Sequence, residues 1–373
     1  MIELIVTTTF GLEAVVKKEL QGLGFKDFTV SDGRLEIKAK LEDIPRLNLW
    51  LRSADRVLLK LTQYPAKDFD QFFDPIVELP WEDWIPKDAK MTVVGKSVKS
   101  QLASVRTCQK MVKRAVINRM KEKYQVKTFP ETGDEFVIGF SIFKDVVQIT
   151  LDSTGPGLNK RGYRKFPGKV PLKETLAAAL VQLSTYEAGK TLLDPMCGSG
   201  TILIEAAMMK RNIAPGLKRS FASEHWPFLK KSFWEMARKN AREAQKGHES
   251  QKLIGCDSNQ QAVREATMNA EKAGVAEEIL FLHKDVSRIE QSVAADLVIT
   301  NPPYGIKLSE ISEVTALYAL MDHAFQTWQN TEFYVITADR HFPKHFRKNI
   351  RPHKIRKLYN GTIETQLYQY LST

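Results

Sequence analysis

The sequence predicts an α/β protein in which a mixed α+β module precedes a doubly wound parallel sheet that closes with an antiparallel hairpin. After about residue 170, helical segments alternate with short apolar strands, and this alternation is typical of a parallel sheet covered by helices. Near the C-terminus, Asn360-Gly361 separates two β-rich runs, which is a preferred turn for a tight hairpin.

Length and composition indicate a globular protein of several domains. The 373 residues exceed one ordinary domain, since domains commonly hold about 100–200 residues. The chain is 43% hydrophobic and 27% charged, which excludes a disordered chain and a fibre. Changes of pattern predict units at 1–65, 66–155 and 171–373, joined by a linker at 156–170 that is rich in Gly, Pro and positive charge.

The first two units mix strands and helices. In residues 1–65 we expect strand, helix, hairpin, helix and strand, with the hairpin turning at Asp32-Gly33. These segments are Glu3–Thr8, Gly11–Leu23, Phe28–Val30 with Leu35–Ile37, Ile44–Leu51 and Val57–Leu61. In residues 66–155 we expect a strand, one long helix and a hairpin, at Met91–Val94, Ser104–Tyr124 and Phe136–Ile142 with Val146–Leu151.

The third unit supplies the strands of the predicted parallel sheet. They are Thr191–Leu193, Lys252–Cys256, Ile279–Leu282, Leu297–Ile299 and Phe333–Thr337, followed by the hairpin strands Ile355–Tyr359 and Thr362–Leu371. Ligands of open α/β sheets bind outside the carboxyl ends of the strands. The residues that follow each strand are therefore the first candidates for a site.

A Gly-rich turn follows the first of these strands, in the segment LLDPMCGSGTILIE at Leu192–Glu205. Gly198 and Gly200 let the backbone approach a ligand, and the following helix directs its first amides at it. A dinucleotide site would need a third glycine where Leu203 stands. The acid Asp194 at the start of the turn is unfavourable beside a pyrophosphate and suits a cationic ligand, such as a sulfonium or amino group.

Two further acids follow the next strands. Asp257 comes after Leu253–Cys256, and Asp285 comes after Phe281–His283. A carboxylate at the first position can accept from both hydroxyls of a ribose, and one at the second can accept from an adenine amine. Each acid alone is commonly a solvated loop residue, but their recurrence at successive strand ends favours a ligand site.

The most specific motif is Asn301-Pro302-Pro303-Tyr304, directly after the strand at 296–300. Pro302 and Pro303 fix the backbone and remove two N–H donors. The side-chain oxygen of Asn301 and the carbonyl of Pro302 can then both accept from one planar –NH₂ group. The ring of Tyr304, rather than its hydroxyl, offers a face on which a flat base can stack.

This series of motifs resembles that of class I S-adenosylmethionine-dependent methyltransferases that act on amino nitrogens. Two longer stretches, Arg161–Leu180 and Ile213–Trp234, are similar to the guanine-N2 methyltransferase half of the RlmL type, which modifies large-subunit ribosomal RNA. Residues 1–65 and 66–155 resemble the ferredoxin-like and THUMP domains that precede that half. The chain ends after one methyltransferase unit, whereas bifunctional members carry a second.

The resemblance implies a fold, a cofactor and roles for these residues. The methyltransferase sheet would be Rossmann-like, and S-adenosylmethionine would be held by Asp194, Gly198 and Gly200 on the methionine side, Asp257 at the ribose and Asp285 at the adenine. Thr175 belongs to a stretch, Pro171–Thr175, that resembles the segment lying over the cofactor. Asn301, Pro302, Pro303 and Tyr304 would hold the target base, which would be extruded from its stack.

The implied reaction is direct methyl transfer to the N2 amine of a guanine in structured RNA, with 23S ribosomal RNA as the first expectation. THUMP-bearing guanine-N2 methyltransferases of transfer RNA are similar in the same motifs. Two alternatives from other classes remain at this point. One is a protein-glutamine methyltransferase, because a side-chain amide is also a planar –NH₂ group. The other is a non-catalytic RNA-binding or assembly factor that retains the fold.

Charge independently favours a polyanionic partner. Lys and Arg number 55 against 44 Asp and Glu, a net charge of +11. Three basic clusters are expected to form one track that contacts RNA phosphates without reading sequence. They are Arg106, Lys110, Lys113 and Arg114 on the long helix, Lys160, Arg161 and Arg164 in the linker, and the acid-free segment Arg340–Lys357.

Cysteine usage and the N-terminus predict the compartment. Cys108, Cys197 and Cys256 are far apart and form no CxxC pair, so neither a zinc ribbon nor a disulfide framework is expected, and no metal is assigned. Unpaired thiols fit a reducing cytoplasm. The N-terminal segment lacks the pattern of a signal peptide, and no apolar run is long enough for a membrane span.

Overall fold

The structure is a computed structural model that describes residues 1–372 except 127, 165–171, 188, 249–251, 290–294, 306–310 and 329. Among the described residues, the strands form two seven-stranded sheets. The first sheet belongs to the N-terminal half and the second to the C-terminal half. The described helices include none with the length and apolar character needed to cross a membrane.

The N-terminal half contains a ferredoxin-like unit followed by further mixed elements. The ferredoxin-like unit runs β1 (Ile2–Thr8), α1 (Glu13–Gly22), β2 (Thr29–Ser31), β3 (Arg34–Ala39), α2 (Asp43–Trp50) and β4 (Ala54–Pro65). The next unit runs α3 (Phe69–Val77), α4 (Trp81–Trp84), β5 (Lys90–Val98), α5 (Val105–Tyr124), β6 (Glu135–Phe143) and β7 (Val146–Asp152). Every strand and helix predicted before residue 155 is confirmed, whereas α3 and α4 were not predicted.

The two N-terminal units share one continuous sheet with the order β2-β3-β1-β4-β7-β6-β5. The shared strand is β4, whose 12 residues are more than the five predicted at 57–61. Its first part pairs with β1 and its second part with β7, both antiparallel. A single long strand thus aligns the two units rigidly, because backbone hydrogen bonds continue across what the sequence presents as a boundary.

The C-terminal half is the predicted doubly wound sheet. Its elements are α6 (Glu174–Leu183), β8 (Leu192–Asp194), α7 (Thr201–Lys210), α8 (Lys231–Glu243), β9 (Leu253–Asp257), α9 (Gln260–Ala273), β10 (Ile279–His283), β11 (Leu297–Thr300), α10 (Ile311–Phe325), β12 (Glu332–Thr337), β13 (Lys354–Asn360) and β14 (Ile363–Tyr370). The strand order is β10-β9-β8-β11-β12-β14-β13. Pairs from β10 to β12 are parallel, and β14 is antiparallel to both neighbours.

The chain at 153–164, which includes the first part of the predicted linker at 156–170, is buried at several positions. Ser153 and Thr154 are fully buried, and their hydroxyls form hydrogen bonds of 2.9 and 2.7 Å with the side-chain amide of Asn48. Arg161 and Tyr163 are buried as well. Polar side chains that find partners in α2 therefore fix this segment in the interface, and residues 165–170 of the predicted linker lie outside the described residues.

The two halves are joined by shared apolar packing. Phe221 and Trp226 from the C-terminal half belong to the hydrophobic core of the N-terminal half. In return, Leu12 and Val15 from the ferredoxin-like unit belong to the core of the C-terminal half. Burial of this kind is the dominant favourable contribution to association, so the halves pack as one body around the site.

Candidate active site

The predicted acids converge at the carboxyl edge of the second sheet. Strands β9, β8 and β11 are neighbours in that order and end at Asp257, Asp194 and Thr300. The hydroxyl of Thr300 donates a 2.8 Å hydrogen bond to Asp194. The site therefore lies where parallel strands end side by side, as expected for an open α/β sheet.

The Gly-rich turn leads from β8 into α7 and contacts the end of β9 at this edge. The amide of Gly198 donates to Oδ2 of Asp257 at 2.9 Å, and the amide of Cys197 donates to the carbonyl of Cys256 at 2.8 Å. Gly198 and Gly200 have φ angles of 51° and 77°, in the region that glycine tolerates best. The turn is thus held against the neighbouring strand by one main-chain contact and one contact to the Asp257 side chain.

Gly198 and Gly200 differ in what a side chain at each position would contact. A Cβ at Gly200 would lie 2.9 Å from the ring of Phe281 and 3.0 Å from Ala266, so this glycine permits close helix packing. A Cβ at Gly198 would meet no atom within 4 Å, so this position faces open space over the strand ends. That open cradle, bounded by acceptor oxygens, fits a cofactor that carries a cation, a ribose and an adenine.

Asp194 is the most perturbed acid of the site. It is 1% exposed, accepts from Thr300, and receives a 3.3 Å hydrogen bond from the amide of Met196. Burial raises the pKa of its carboxyl to about 7, and the negative charge of Asp257 adds to the shift. A nearby cation would favour the ionised form, which matches the expected role beside a cationic ligand.

Asp257 and Asp285 retain accepting capacity toward the cradle. Each oxygen of Asp257 takes one hydrogen bond of 2.9 Å, from Gly198 and from the amide of Asn259. An ionised carboxylate has about four lone-pair positions, which leaves room for two ribose hydroxyls. At Asp285, the amide and hydroxyl of Ser287 both donate to Oδ1, at 2.9 and 2.6 Å, and lower the pKa of its carboxyl.

The Asn-Pro-Pro-Tyr motif is ordered by its own side chains and by α10. The hydroxyl of Tyr304 donates to Oδ1 of Asn301 at 2.6 Å, and burial raises the pKa of Tyr304 to about 12. Pro302 is buried. The hydroxyl of Tyr318 lies 3.4 Å from the carbonyl of Pro303 and 2.8 Å from the hydroxyl of Thr337. The hydroxyl of Tyr304 thus has a role that the sequence-based interpretation did not assign to it.

Two neighbours of the motif were not identified from the sequence. Tyr318 is fully buried on α10 and contacts the carbonyl of Pro303. Asn360, at the end of β13, is 5% exposed and lies close enough to the Tyr304 hydroxyl to influence its pKa. Its amide nitrogen makes no hydrogen bond of standard geometry to any described residue. Asn360 was interpreted only as a turn residue, because no sequence signal places the hairpin tip beside β11.

Thr175 lies in the first turn of α6, 1% exposed, while Pro171 is outside the described residues. The segment around Thr175 is tied to the Gly-rich turn by Arg164. The guanidinium of Arg164 contacts Glu174 at 2.9 Å, the carbonyl of Leu172 at 2.9 Å and the hydroxyl of Thr201 at 2.8 Å. Arg164 therefore orders the start of α6 against the start of α7.

This arrangement corrects two of the predicted RNA contacts. Arg164 is largely buried and its donors are directed inward. Arg161 is 2% exposed, contacts Glu205 at 3.4 Å and donates to the carbonyls of Leu158 and Arg52. Both positive charges compensate buried carboxylates, and Arg161 also contacts the N-terminal half through Arg52, so neither is directed toward a phosphate on the surface. Lys160, in contrast, is exposed.

The basic face of α5 is partly compensated as well. Lys113 contacts Glu131 at 2.7 Å, whereas Arg106, Lys110 and Arg114 are exposed. These three residues remain the accessible part of the predicted cluster. Among the residues that the structure describes, no group of three His, Cys, Asp or Glu side chains is arranged to hold a metal ion.

Three models of known protein families match this chain. The family model described as "RMKL-like, methyltransferase domain" matches residues 161–369. The chain belongs to the RMKL-like methyltransferase family. The models for the RlmL ferredoxin-like domain and the THUMP domain match residues 3–58 and 66–152. This RMKL-like chain therefore carries the expected order of a ferredoxin-like unit, a THUMP domain and a class I methyltransferase domain.

Individual relatives agree with the family. YpsC of Bacillus subtilis, which carries a provisional RNA methyltransferase name, is 40% identical over 99% of this chain and 96% of its own length. The ribosomal RNA large subunit methyltransferase K/L of Syntrophotalea carbinolica is 31% identical over 99% of this chain. The RMKL-like chain spans about half the length of that relative, 53%.

Solved structures share the whole fold. The structure of SMU.472, provisionally titled a methyltransferase and complexed with SAH, is 35% identical with a TM-score of 0.92, over 100% of this chain and 98% of its own. A Listeria monocytogenes protein titled a predicted N6-adenine-specific DNA methylase is 40% identical with a TM-score of 0.92, over 100% and 96%. The RMKL-like chain is accordingly an S-adenosylmethionine-dependent methyltransferase, and the cradle beside Gly198 is consistent with that cofactor.

Proposed function

We propose that this chain transfers a methyl group from S-adenosylmethionine to the exocyclic N2 amine of a guanine in structured RNA, with 23S ribosomal RNA as the substrate. The THUMP domain and the relatives named as RNA or ribosomal RNA methyltransferases support RNA as the polymer. Transfer RNA is the alternative polymer, since THUMP-bearing guanine-N2 enzymes of that class share the same motifs.

The observation that carries the proposal is the 2.6 Å hydrogen bond from Tyr304 to Asn301. An amide oxygen has two lone pairs. One is used by Tyr304, which fixes the orientation of the Asn301 side chain, and the other is available to a substrate –NH₂ group. The Pro302 carbonyl, which follows directly, can accept the second hydrogen of that group.

When bound, S-adenosylmethionine would supply an electrophilic methyl group: its sulfur–methyl bond breaks as the nitrogen–methyl bond forms, S-adenosylhomocysteine leaves, and the amine releases one proton to solvent. Asp194 provides negative charge on the methionine side, and the open position at Gly198 admits the cofactor without a steric clash. Asn301 and Pro302 hold both amine hydrogens, which directs the nitrogen lone pair away from the protein and toward the methyl donor. Catalysis of this kind depends on position and on acceptors that are oriented before the reaction.

The surrounding side chains protect this geometry. Tyr304 has a pKa of about 12, so its hydroxyl stays protonated and keeps donating to Asn301 at any physiological pH. The hydroxyl of Tyr318 donates to the carbonyl of Pro303, and the hydroxyl of Thr337 contacts the Tyr318 hydroxyl. An amine acceptor of this kind also suits the glutamine amide of a protein, which we rank below RNA because the THUMP domain and the exposed cations of α5 favour a nucleic acid.

The deciding experiment is nucleoside mass spectrometry with the full-length protein, labelled S-adenosylmethionine and four acceptors: 23S ribosomal RNA, transfer RNA, duplex DNA and nuclease-treated extract protein. We expect label in N2-methylguanosine from ribosomal RNA. If N2-methylguanosine were found only in transfer RNA, the substrate would be transfer RNA and not ribosomal RNA. Label in N6-methyladenine or in protein glutamine would refute the guanine assignment.

A further inference from the structure

A groove lies next to the Asn301–Tyr304 pocket, between the ferredoxin-like unit and the terminal hairpin. It has a volume of about 480 Å³ and is lined by Thr9, Phe10, Asp55, Lys173, Tyr359 and Gly361. We propose that this groove binds the nucleotide adjacent to the methylated guanine, with the rings of Phe10 and Tyr359 contacting its base. The inference rests on RNA being the substrate.

Continuity with the acceptor pocket is the first argument. Gly361 and Tyr359 flank Asn360, whose side chain lies against the Tyr304 hydroxyl. Tyr304 in turn contacts Asn301. The tip of the β13–β14 hairpin therefore lies between the groove and Tyr304, so a nucleotide next to a base extruded toward Asn301 would be close to this tip.

The aromatic content of the groove is the second argument. Phe10 is 47% exposed, and its ring centroid lies 6.1 Å from that of Tyr359 in a T-shaped arrangement. A large apolar side chain that remains half exposed in a concave site is suited to stacking with a flat ligand. Bases stack on aromatic side chains with little dependence on sequence, so such a site could hold any neighbouring base.

The charges of Asp55 and Lys173 favour a nucleotide that has its base inside the groove and its phosphate at the rim. Asp55 is partly buried, and Thr9 donates to it at 3.4 Å. A carboxylate repels phosphate but accepts hydrogen bonds from the amines of bases. Burial raises the pKa of the Asp55 carboxyl, and the nearby positive charge of Lys173 offsets only part of that shift. The ammonium group of Lys173 lines the same groove and is the candidate partner for a phosphate. The groove thus suits a nucleotide, with the base toward Asp55 and Phe10.

The groove is held rigid by a close contact between the two halves. Gly11 has a φ angle of 91°, and a Cβ at this position would lie 2.8 Å from the carbonyl oxygen of Lys357 on β13. The loop that carries Phe10 therefore rests directly on the strand that carries Tyr359. A site assembled before binding loses less conformational entropy when the ligand arrives, so the ferredoxin-like unit contributes directly to substrate binding.

The test uses full-length protein in single-turnover methylation of transcribed 23S ribosomal RNA, with saturating S-adenosylmethionine. Phe10→Ala should raise the RNA concentration for half-maximal rate about five-fold to a hundred-fold, the range expected for loss of one stacked base. The maximal rate and the cofactor affinity should stay near the wild-type values. Phe10→Trp should retain RNA affinity because it keeps an aromatic face.

A control variant and the wild-type protein allow the proposed nucleotide site and the proposed function to be refuted separately. Phe69 is 40% exposed, similar to Phe10, but lies outside the groove, so Phe69→Ala should behave as wild type. If Phe10→Ala were as efficient as wild type, or Phe10→Trp as impaired as Phe10→Ala, the groove would not bind a base. If the wild-type protein methylated no RNA at all, the proposed function would fail instead.

A second measurement needs no variant. Ribosomal RNA containing 4-thiouridine is cross-linked by light to wild-type protein, and the linked peptides are identified by mass spectrometry. Cross-links to the peptides that contain Phe10 or Tyr359 would support the proposal. RNA that is methylated by the same sample but cross-links only elsewhere would overturn it.

Discussion

The hydroxyl of Tyr304 donates a 2.6 Å hydrogen bond to the side-chain oxygen of Asn301, the atom that we propose accepts the substrate amine. Two residues that sequence patterns assign to separate tasks, stacking and hydrogen bonding, are thus coupled. Whatever displaces the Tyr304 hydroxyl also frees the amide of Asn301 to rotate. This coupling leads to different expectations for the two residues.

Asn301→Ala should reduce the rate of methyl transfer by about 10²–10³, because an oriented acceptor acts mainly in the transition state. Affinity for RNA and for the cofactor should change little. Single-turnover kinetics with calorimetric cofactor binding separate the two effects. Normal turnover by this variant would remove Asn301 from the catalytic pocket.

Tyr304→Phe should lower the methylation rate about two-fold to ten-fold, because loss of one hydrogen bond of about 0.5–1.5 kcal/mol leaves Asn301 less well oriented. RNA affinity should be retained, since the ring remains. Tyr304→Ala should weaken RNA binding as well, because stacking contributes about 1–3 kcal/mol. The comparison is made on RNA titrations of the single-turnover rate, and a fully silent Tyr304→Phe would restrict the residue to stacking.

Asp257→Ala should weaken S-adenosylmethionine binding roughly five-fold to over a hundred-fold, because unpaired polar groups cost about 1–3 kcal/mol. The loss has two sources, the ribose acceptor and the hydrogen bond that positions the Gly198 amide. Isothermal calorimetry measures it. Asp285→Ala serves as a comparison at the adenine side, and unchanged affinity in Asp257→Ala would place the ribose elsewhere.

Cofactor affinity should increase as pH rises through about 7. The pKa of Asp194 is raised to about 7 by burial, so its carboxyl is mostly neutral at pH 6 and mostly charged at pH 8. Ionisation favours a cationic ligand, and the fraction ionised changes about tenfold over this range. Calorimetry between pH 6 and 8 should show the rise in wild type and its loss in Asp194→Asn.

The raised pKa of Asp194 also makes the stability of the folded protein depend on pH. Stability should fall with rising pH, whereas cofactor affinity should increase. A pKa that is higher in the folded than in the unfolded protein makes unfolding release a proton between pH 4 and 7. The contribution of Asp194 to stability should therefore fall as pH rises through this window, and Asp194→Asn should be less sensitive to it. Thermal unfolding of both proteins at pH 4.5 and 7 would reveal the difference, and parallel curves would contradict it.

RNA binding should depend steeply on salt, and the exposed cations of α5 should contribute to the slope. Replacing Arg106 and Lys110 by Ala should reduce the slope of log affinity against log salt concentration by roughly 1.5, since each phosphate contact contributes about 0.7–0.9. Lys239→Ala, an exposed residue on α8, is the matched control. Equal slopes for all three proteins would exclude this face of α5 from RNA binding.

Much of the fold could be predicted because its signals are local. Alternating apolar segments marked the strands from β8 to β12, and Asp32-Gly33 and Asn360-Gly361 marked two hairpins, all confirmed. Helices α3 and α4 were not predicted from the sequence because they are short and because Pro75 lies inside α3. The position of the acids at one sheet edge followed from strand order, since parallel strands end together.

The linker cations could not be interpreted correctly from sequence. Arg161 and Arg164 have the composition and spacing of a surface cluster, but Glu205, which is distant in sequence, and Glu174 are buried beside them. A buried carboxylate requires a partner, because leaving its charge unpaired in the interior is costly. Only the packing of the two halves reveals that these charges compensate one another.

The sequence by itself determined the order of strands and helices, the glycine-rich turn, the acids at the strand ends and the Asn-Pro-Pro-Tyr motif, because each depends on neighbouring residues and backbone preference. The tertiary structure alone decided that β4 joins two units in one sheet, that Asn360 reaches Tyr304, and that Phe10 of the ferredoxin-like unit lies beside Tyr359. These contacts bring together residues separated by tens to hundreds of positions. They depend on strand pairing, on a side-chain hydrogen bond and on packing between the halves, and none of these has a local signature in the chain.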